Sequence, residues 1–152
     1  MNIRIIPAQP ENAQALTEIS ISAKRHWNYP ERWIEIWIPA LTISPEYISK
    51  NETWMAVINK KPAAYYSLKW EQDDLWLDHL WVLPEFMGRG IGQRLFQHAL
   101  KQSRLQNAIV LKIEADPNAA QFYEKMGARK TGERHTEIDD QPRILPVMEI
   151  HL

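Results

Sequence analysis

A chain of 152 residues that is 45% hydrophobic, 24% charged and free of cysteine has the size and composition of one domain around a single core. The absence of cysteine excludes disulfides, thiolate metal sites, a cysteine nucleophile and CxxC redox chemistry. Lys plus Arg number 18 against 19 Asp plus Glu, a formal charge of −1 without any run of like charges, so a nucleic-acid partner is not expected.

The opening residues Met1 to Pro7 lack the apolar stretch of a secretory leader, and no window is long and apolar enough to cross a bilayer. The expected protein is soluble and cytoplasmic, with no membrane partner. Residues 2–6 read as a first strand. Pro10 opens a helix whose apolar positions Ala13, Leu16, Ile19 and Ala23 follow helical spacing, and it should end near Trp27. A second helix starts at Pro30, carries Trp33, Ile34, Trp37 and Ile38, and should stop at Pro39. Trp27, Trp33 and Trp37 form a local cluster that suits either core packing or the wall of a pocket. A short helical turn is expected over 45–50.

From Thr53 the period changes to that of strands. Residues 53–58 and 63–70 form a hairpin about Asn59 to Pro62, and 75–83 is a third strand closed by Pro84. A helix over 91–104, a strand over 108–115, a helix over 117–126 ending at Gly127, and strands near 129–137 and 144–151 complete the chain. The fold class expected is α/β or α+β, one domain over 1–152 built on a mixed sheet with flanking helices.

The most informative stretch is Leu80-Trp81-Val82-Leu83-Pro84-Glu85-Phe86-Met87-Gly88-Arg89-Gly90-Ile91-Gly92-Gln93. Strand, glycine turn and helix in that order aim free backbone N–H groups and the positive end of a helix dipole at one point, which suits an anion. A pyrophosphate is the natural guest. The spacing is neither GxGxxG nor a Walker sequence, and no Lys-Ser/Thr pair follows it. A second motif lies downstream, Asn118-Ala119-Ala120-Gln121-Phe122-Tyr123-Glu124-Lys125-Met126-Gly127.

Val82-x-Pro84 followed by glycines at 88, 90 and 92, with Asn118, Phe122-Tyr123 and Gly127 about thirty residues on, resembles the GCN5-related N-acetyltransferase superfamily. The resemblance implies a splayed mixed sheet of about seven strands with acetyl-coenzyme A wedged between the strands ending at Leu83 and Ala115. It implies coenzyme contacts from Leu80, Trp81 and Val82, from the turn Gly88, Arg89, Gly90, Ile91, Gly92 and Gln93, and from Asn118. Tyr123 falls where many members carry the tyrosine that protonates the departing coenzyme thiolate; the other reading is that Phe122 and Tyr123 pack the helix on the sheet. Members usually carry Arg or Gln at the position of Met87, a departure here.

An amine acceptor is mostly protonated at neutral pH and needs a base. Strict alternation along 75–83 sets Trp76, Asp78, Leu80 and Val82 on one face and Leu77, His79 and Trp81 on the other. By the resemblance the catalytic face is that of Trp76 and Asp78, which favours Asp78, with His79 retained for its convenient pKa. Glu114 and Asp116 are weaker alternatives. The remaining histidines lack ligand spacing and no metal is expected. Acceptor recognition should fall to residues 22–50 and to 137–143, with Glu137, Asp139 and Asp140 supplying acid on one wall. The expected protein is a monomer or homodimer that transfers acetyl from acetyl-coenzyme A to an amine acceptor, a small molecule or a peptide or protein amine. The alternative is a coenzyme-binding sensor of the same fold.

Overall fold

The computed structural model describes residues 2–152. Seven strands form one mixed sheet: β1 (Ile3–Pro7), β2 (Glu52–Ile58), β3 (Lys61–Glu71), β4 (Asp74–Val82), β5 (Val110–Glu114), β6 (Arg129–Ile138) and β7 (Gln141–His151), in the spatial order β1-β2-β3-β4-β5-β7-β6. The helices are α1 (Ala13–Arg25), α2 (Glu31–Leu41), α3 (Pro45–Lys50), α4 (Ile91–Leu105) and α5 (Ala120–Lys125). Among the described residues no helix is long and apolar enough to cross a membrane.

Two apolar layers explain this arrangement. On one face Leu75, Leu77, Leu95, Phe96, Leu111 and Ile113 bury α4 and α5 against the sheet. On the other, Leu16, Ile19, Ile43, Ile48, Met55 and Tyr65 bury α1 and α3. The middle of β3, Ala63 to Leu68, is buried throughout, as a strand covered on both faces requires. The β2–β3 hairpin turns on Asn59 and Lys60 and the β6–β7 hairpin on Asp139 and Asp140, all with positive φ, the backbone of a type I′ turn that matches strand twist.

Two features of the chain depart from what its pattern predicts. Pro39 does not stop α2 but lies inside it. Proline near a C-terminal end loses one backbone bond, yet the helix continues to Leu41, which is buried, and Thr42 Oγ1 donates to the Ile38 carbonyl at 2.7 Å. The second departure is in β4. Ser67 pairs with His79 but Leu68 pairs with Leu77, so Asp78 is the extra residue of a β-bulge. The bulge resets the alternation: Leu80 and Val82 pack toward the α4 layer together with Leu77, whereas Trp81 packs toward α1.

Candidate active site

β4 and β5 run parallel but are paired only at Leu75–Leu111 and Trp76–Lys112. Beyond these pairs a cleft of about 550 Å³ opens between them, lined by β4 from Leu77 to Val82, by Ile113 to Asp116 and by the start of α5. Strand edges that no longer pair with each other leave N–H and C=O groups for an extended, amide-bearing guest.

At one end of the cleft stands the glycine turn. Gly88 and Gly90 have φ of +77° and +80°, and Gly90 is the N-cap of α4. A Cβ at either would meet nothing within 4 Å, so the turn is left open on the side that faces the cleft. Met87, Gly88, Gly90, Ile91, Gly92 and Gln93 all line it. Arg89 is the exception among the expected coenzyme residues: it is absent from the lining, and its guanidinium lies over the Phe86 ring at 5.7 Å. The turn, the fifteen-residue helix behind it and the unpaired strand edges fit a pyrophosphate joined to an amide-rich arm. Gly90→Asp sets a negative side chain where such a phosphate would approach. We expect the variant to fold, with a melting temperature a few degrees lower at most, and to lose the rise that acetyl-coenzyme A produces in the wild type.

Tyr123 projects from α5 into the same cleft. The helix is only six residues long, but its end is fixed: Gly127 takes a φ of +105°, its N–H donates to the Glu124 carbonyl at 3.0 Å, and the Ala128 N–H donates to the Tyr123 carbonyl at 3.0 Å. This is a Schellman closure, and it holds the tyrosine in place. The Tyr123 ring packs on Phe96 and Phe122. Burial, and after it the charge of Asp116, push the phenol pKa up, so it stays protonated. The packing and the acid readings of Tyr123 are therefore compatible, because a packed ring at the cleft still carries a protonated hydroxyl.

The bulge brings Asp78 and His79 together at the junction of this cleft with a second pocket of about 430 Å³, which both residues also line. Asp78 Oδ2 accepts from the Tyr47 hydroxyl at 2.5 Å and lies 3.7 Å from His79 Nε2. Tyr47 reaches it because Ser44 caps α3, accepting from the Tyr47 N–H at 3.0 Å with Pro45 at the first helical position. Sequence reading missed Tyr47, which carries no local signal. His79 Nδ1 accepts from the Trp81 indole at 3.0 Å, and since an indole can only donate, the neutral ring carries its proton on Nε2. Burial first, with Lys69 adding and Asp78 opposing, holds the His79 pKa below its usual value. The ring is thus neutral at pH 7 with its lone pair already engaged. The expectation that Asp78 and His79 point to opposite faces is corrected by the bulge, which leaves them 3.7 Å apart, with the contacts of Asp78 on Oδ2.

A third group was only partly visible in the sequence. Asp116, just beyond β5, accepts from Lys24 Nζ at 2.6 Å, Arg143 Nη2 at 3.2 Å, the Tyr29 hydroxyl at 3.0 Å and the Asn118 N–H at 2.8 Å. Asn118 Nδ2, on a residue expected to contact the coenzyme, in turn donates to the Tyr29 hydroxyl at 3.0 Å. The Lys24 ammonium sits over Trp37 at 4.2 Å and Tyr29 at 5.1 Å, and Arg143 lies over the same two rings. Burial alone would raise the Asp116 pKa, but Lys24 and the hydrogen bonds outweigh it and hold the carboxylate below its ordinary range. A carboxylate so fully engaged is not a base, which removes Asp116 from that role; Glu114 is tied to Arg134 at 3.1 Å. The expected acidic wall is also corrected: Asp139 pairs with Arg32 at 2.8 Å, and the β7 residue that comes to the node is a cation, Arg143. Among the described residues no cluster of His, Asp and Glu could hold a metal ion.

Splayed strands, a glycine turn capping a helix and a tyrosine on the following helix are the arrangement of one enzyme family, and the comparisons agree. Residues 14–128 match the Acetyltransferase (GNAT) family, and the chain belongs to that family of acetyl-coenzyme A-dependent acyltransferases. It is 29% identical over 107 residues to the peptidyl-lysine N-acetyltransferase YjaB of Salmonella typhimurium, covering 69% of this chain and 68% of the relative. It is 27% identical over 142 residues to the uncharacterized N-acetyltransferase YafP of Escherichia coli, covering 90% and 87%. The fold matches a GCN5-related N-acetyltransferase structure from Rhodopseudomonas palustris with a TM-score of 0.85 at 24% identity, covering 100% of this chain and 97% of the other. It also matches the PaiA N-acetyltransferase of Thermoplasma acidophilum in complex with coenzyme A, TM-score 0.81 at 20% identity, over 100% of both chains.

Proposed function

We propose that the chain acts as a single N-acetyltransferase domain, moving the acetyl group of acetyl-coenzyme A to a primary amine of a small molecule or of a peptide or protein. The observation that carries this reading is the cleft between β4 and β5, which has an anion-binding turn at one end and Asp78 and Tyr123 along its length. Coenzyme A in the related PaiA structure and the peptidyl-lysine activity named for YjaB support it. We place the protein in the cytoplasm as a monomer or homodimer.

The coenzyme supplies an activated acyl group as a thioester. Backbone N–H groups of the turn hold the pyrophosphate, and the β4 edge from Asp78 to Val82 orients the arm. Asp78, directly or through water, takes one proton from the acceptor ammonium so that the nitrogen lone pair can form the new C–N bond. As the C–S bond breaks, Tyr123 gives its proton to the sulfur. The same apolar surroundings that hold the phenol protonated raise the proton affinity of the departing thiolate, so the transfer is matched. The second amine proton leaves to solvent, the proton taken by Asp78 makes good through solvent the one Tyr123 gave, and the overall change is ammonium plus thioester to amide, thiol and one proton.

The test is steady-state release of free coenzyme thiol from acetyl-coenzyme A against amino acids, polyamines, aminoglycosides and peptides. Amine-dependent release is the expected result; coenzyme binding without turnover of any amine would favour the sensor alternative, to which Met87 in place of Arg or Gln gives support. With an acceptor in hand, Asp78→Asn should lower turnover most at acidic pH, where a protonated amine depends most on a base. His79→Gln should matter less, because the lone pair of its ring is already engaged by the Trp81 indole.

A further inference from the structure

The second pocket is lined by Lys24, Trp37, Leu41, Tyr47 and Trp81 and shares Asp78 and His79 with the cleft. Its charges are segregated. At one end is the Asp78 carboxylate; among the described residues both of its side-chain contacts fall on Oδ2, leaving Oδ1 open. At the other is the Lys24 ammonium, which uses one hydrogen bond on Asp116 and otherwise meets only aromatic faces, so two of its three donors remain. Arg143 stands behind it on the same carboxylate. Lys24, Asp116 and Arg143 have side chains only 10–12% exposed, so one carboxylate is shared by two buried cations and the node keeps a net positive charge.

We propose that this pocket receives a free, zwitterionic amino acid as the acetyl acceptor, its carboxylate on the Lys24 ammonium and its amine against Asp78, with its side chain between Trp37 and Trp81. The assignment rests on the transferase reading for its chemistry, since it names the acceptor of that same site. The charges that line the pocket are Lys24 and Asp78, with His79 neutral and the Asp116–Arg143 pair behind Lys24; one charge of each sign, separated in space, fits a neutral molecule with one charge of each sign. A polyamine would satisfy Asp78 but place a remaining ammonium group toward the Lys24 cation. A lysine side chain of a protein would bring an amine and no anion. A volume of about 430 Å³ suits a small molecule.

Trp37 and Trp81 in the pocket wall make tryptophan fluorescence the readout. The wild-type protein saturated with coenzyme A is titrated with the common L-amino acids, with the amide of each that binds, and with putrescine; thiol release from acetyl-coenzyme A is measured in parallel. Saturable quenching is expected for one or more amino acids, with the matched amide weaker by tenfold or more, as loss of a charged hydrogen bond implies, and with putrescine weaker still. Lys24→Gln should abolish the difference between acid and amide, and the melting temperature of that variant reports whether it has folded. Equal or tighter binding of the amide or of putrescine, or no amino acid binding at all, overturns the proposal, and the wild-type comparison alone suffices if the variant does not fold. The two readings separate cleanly. Acid-selective binding without thiol release keeps the pocket assignment and defeats the transferase reading; thiol release indifferent to the carboxylate does the reverse.

Discussion

Tyr123→Phe lowers the turnover number for acetyl transfer by roughly a hundredfold or more, the usual effect of removing one general acid, while coenzyme binding and the melting temperature change little. The variant keeps the ring that packs on Phe96 and Phe122 and removes only the hydroxyl that faces the cleft. Turnover measured per folded molecule, alongside the acetyl-coenzyme A-induced melting shift, checks it. If Tyr123 served packing alone, Phe would be neutral in both. A loss of rate with an unchanged binding shift is what a group acting in the chemical step gives and a packing residue does not.

Asp116→Asn is expected to be the most destabilising single change near the site. It removes the one carboxylate between Lys24 and Arg143, whose side chains are largely buried, and breaking such a pair typically costs about 3–5 kcal/mol. For a chain of this length that corresponds to a fall of several degrees or more in melting temperature. The pH dependence gives a second, signed readout. The Asp116 pKa is depressed in the folded protein, so its stabilisation is present above the ordinary carboxylate pKa and is lost as pH falls through its lower folded value. Wild-type stability should therefore decline with acid below about pH 4, and the Asn variant, already lacking the charge, should lose less over that range. Differential scanning calorimetry of both proteins from neutral to acid pH measures this.

What the sequence made legible was whatever depends on local pattern. The glycine turn, the helix stop at Gly127 and the alternation of most strands follow from backbone preferences that act over a few residues, and the turn and Tyr123 do line one cleft. The bulge at Asp78 escaped because it is set by the pairing of β3 with β4, a relation between residues about ten apart, and a single inserted residue reverses every face assigned beyond it. Lys24 stood in plain view next to Ala23 on α1, but a lysine one step from an apolar stripe is ordinarily solvated. Its burial depends on Asp116, 92 positions away, and on two aromatic rings delivered by other segments. Tyr47 is invisible for the same reason: its partners Asp78 and Ser67 lie on strands that meet only in the fold. Pro39 misled because a proline is read as a stop, whereas here the burial of Leu41 outweighs one missing hydrogen bond.

An acetyl group passed in the β4–β5 cleft from the coenzyme to an amine, with Tyr123 completing the leaving group, must be found afterwards in an amide. The most direct measurement supplies acetyl-coenzyme A isotopically labelled in its acetyl group together with a mixture of amino acids, polyamines and a lysine-containing peptide, and follows the label by mass spectrometry. The expected result is label in an amide product of the wild type, formed far more slowly by Tyr123→Phe and not at all by Gly90→Asp. Label that stays on the coenzyme with every amine, or an amide formed equally fast by all three proteins, would contradict it.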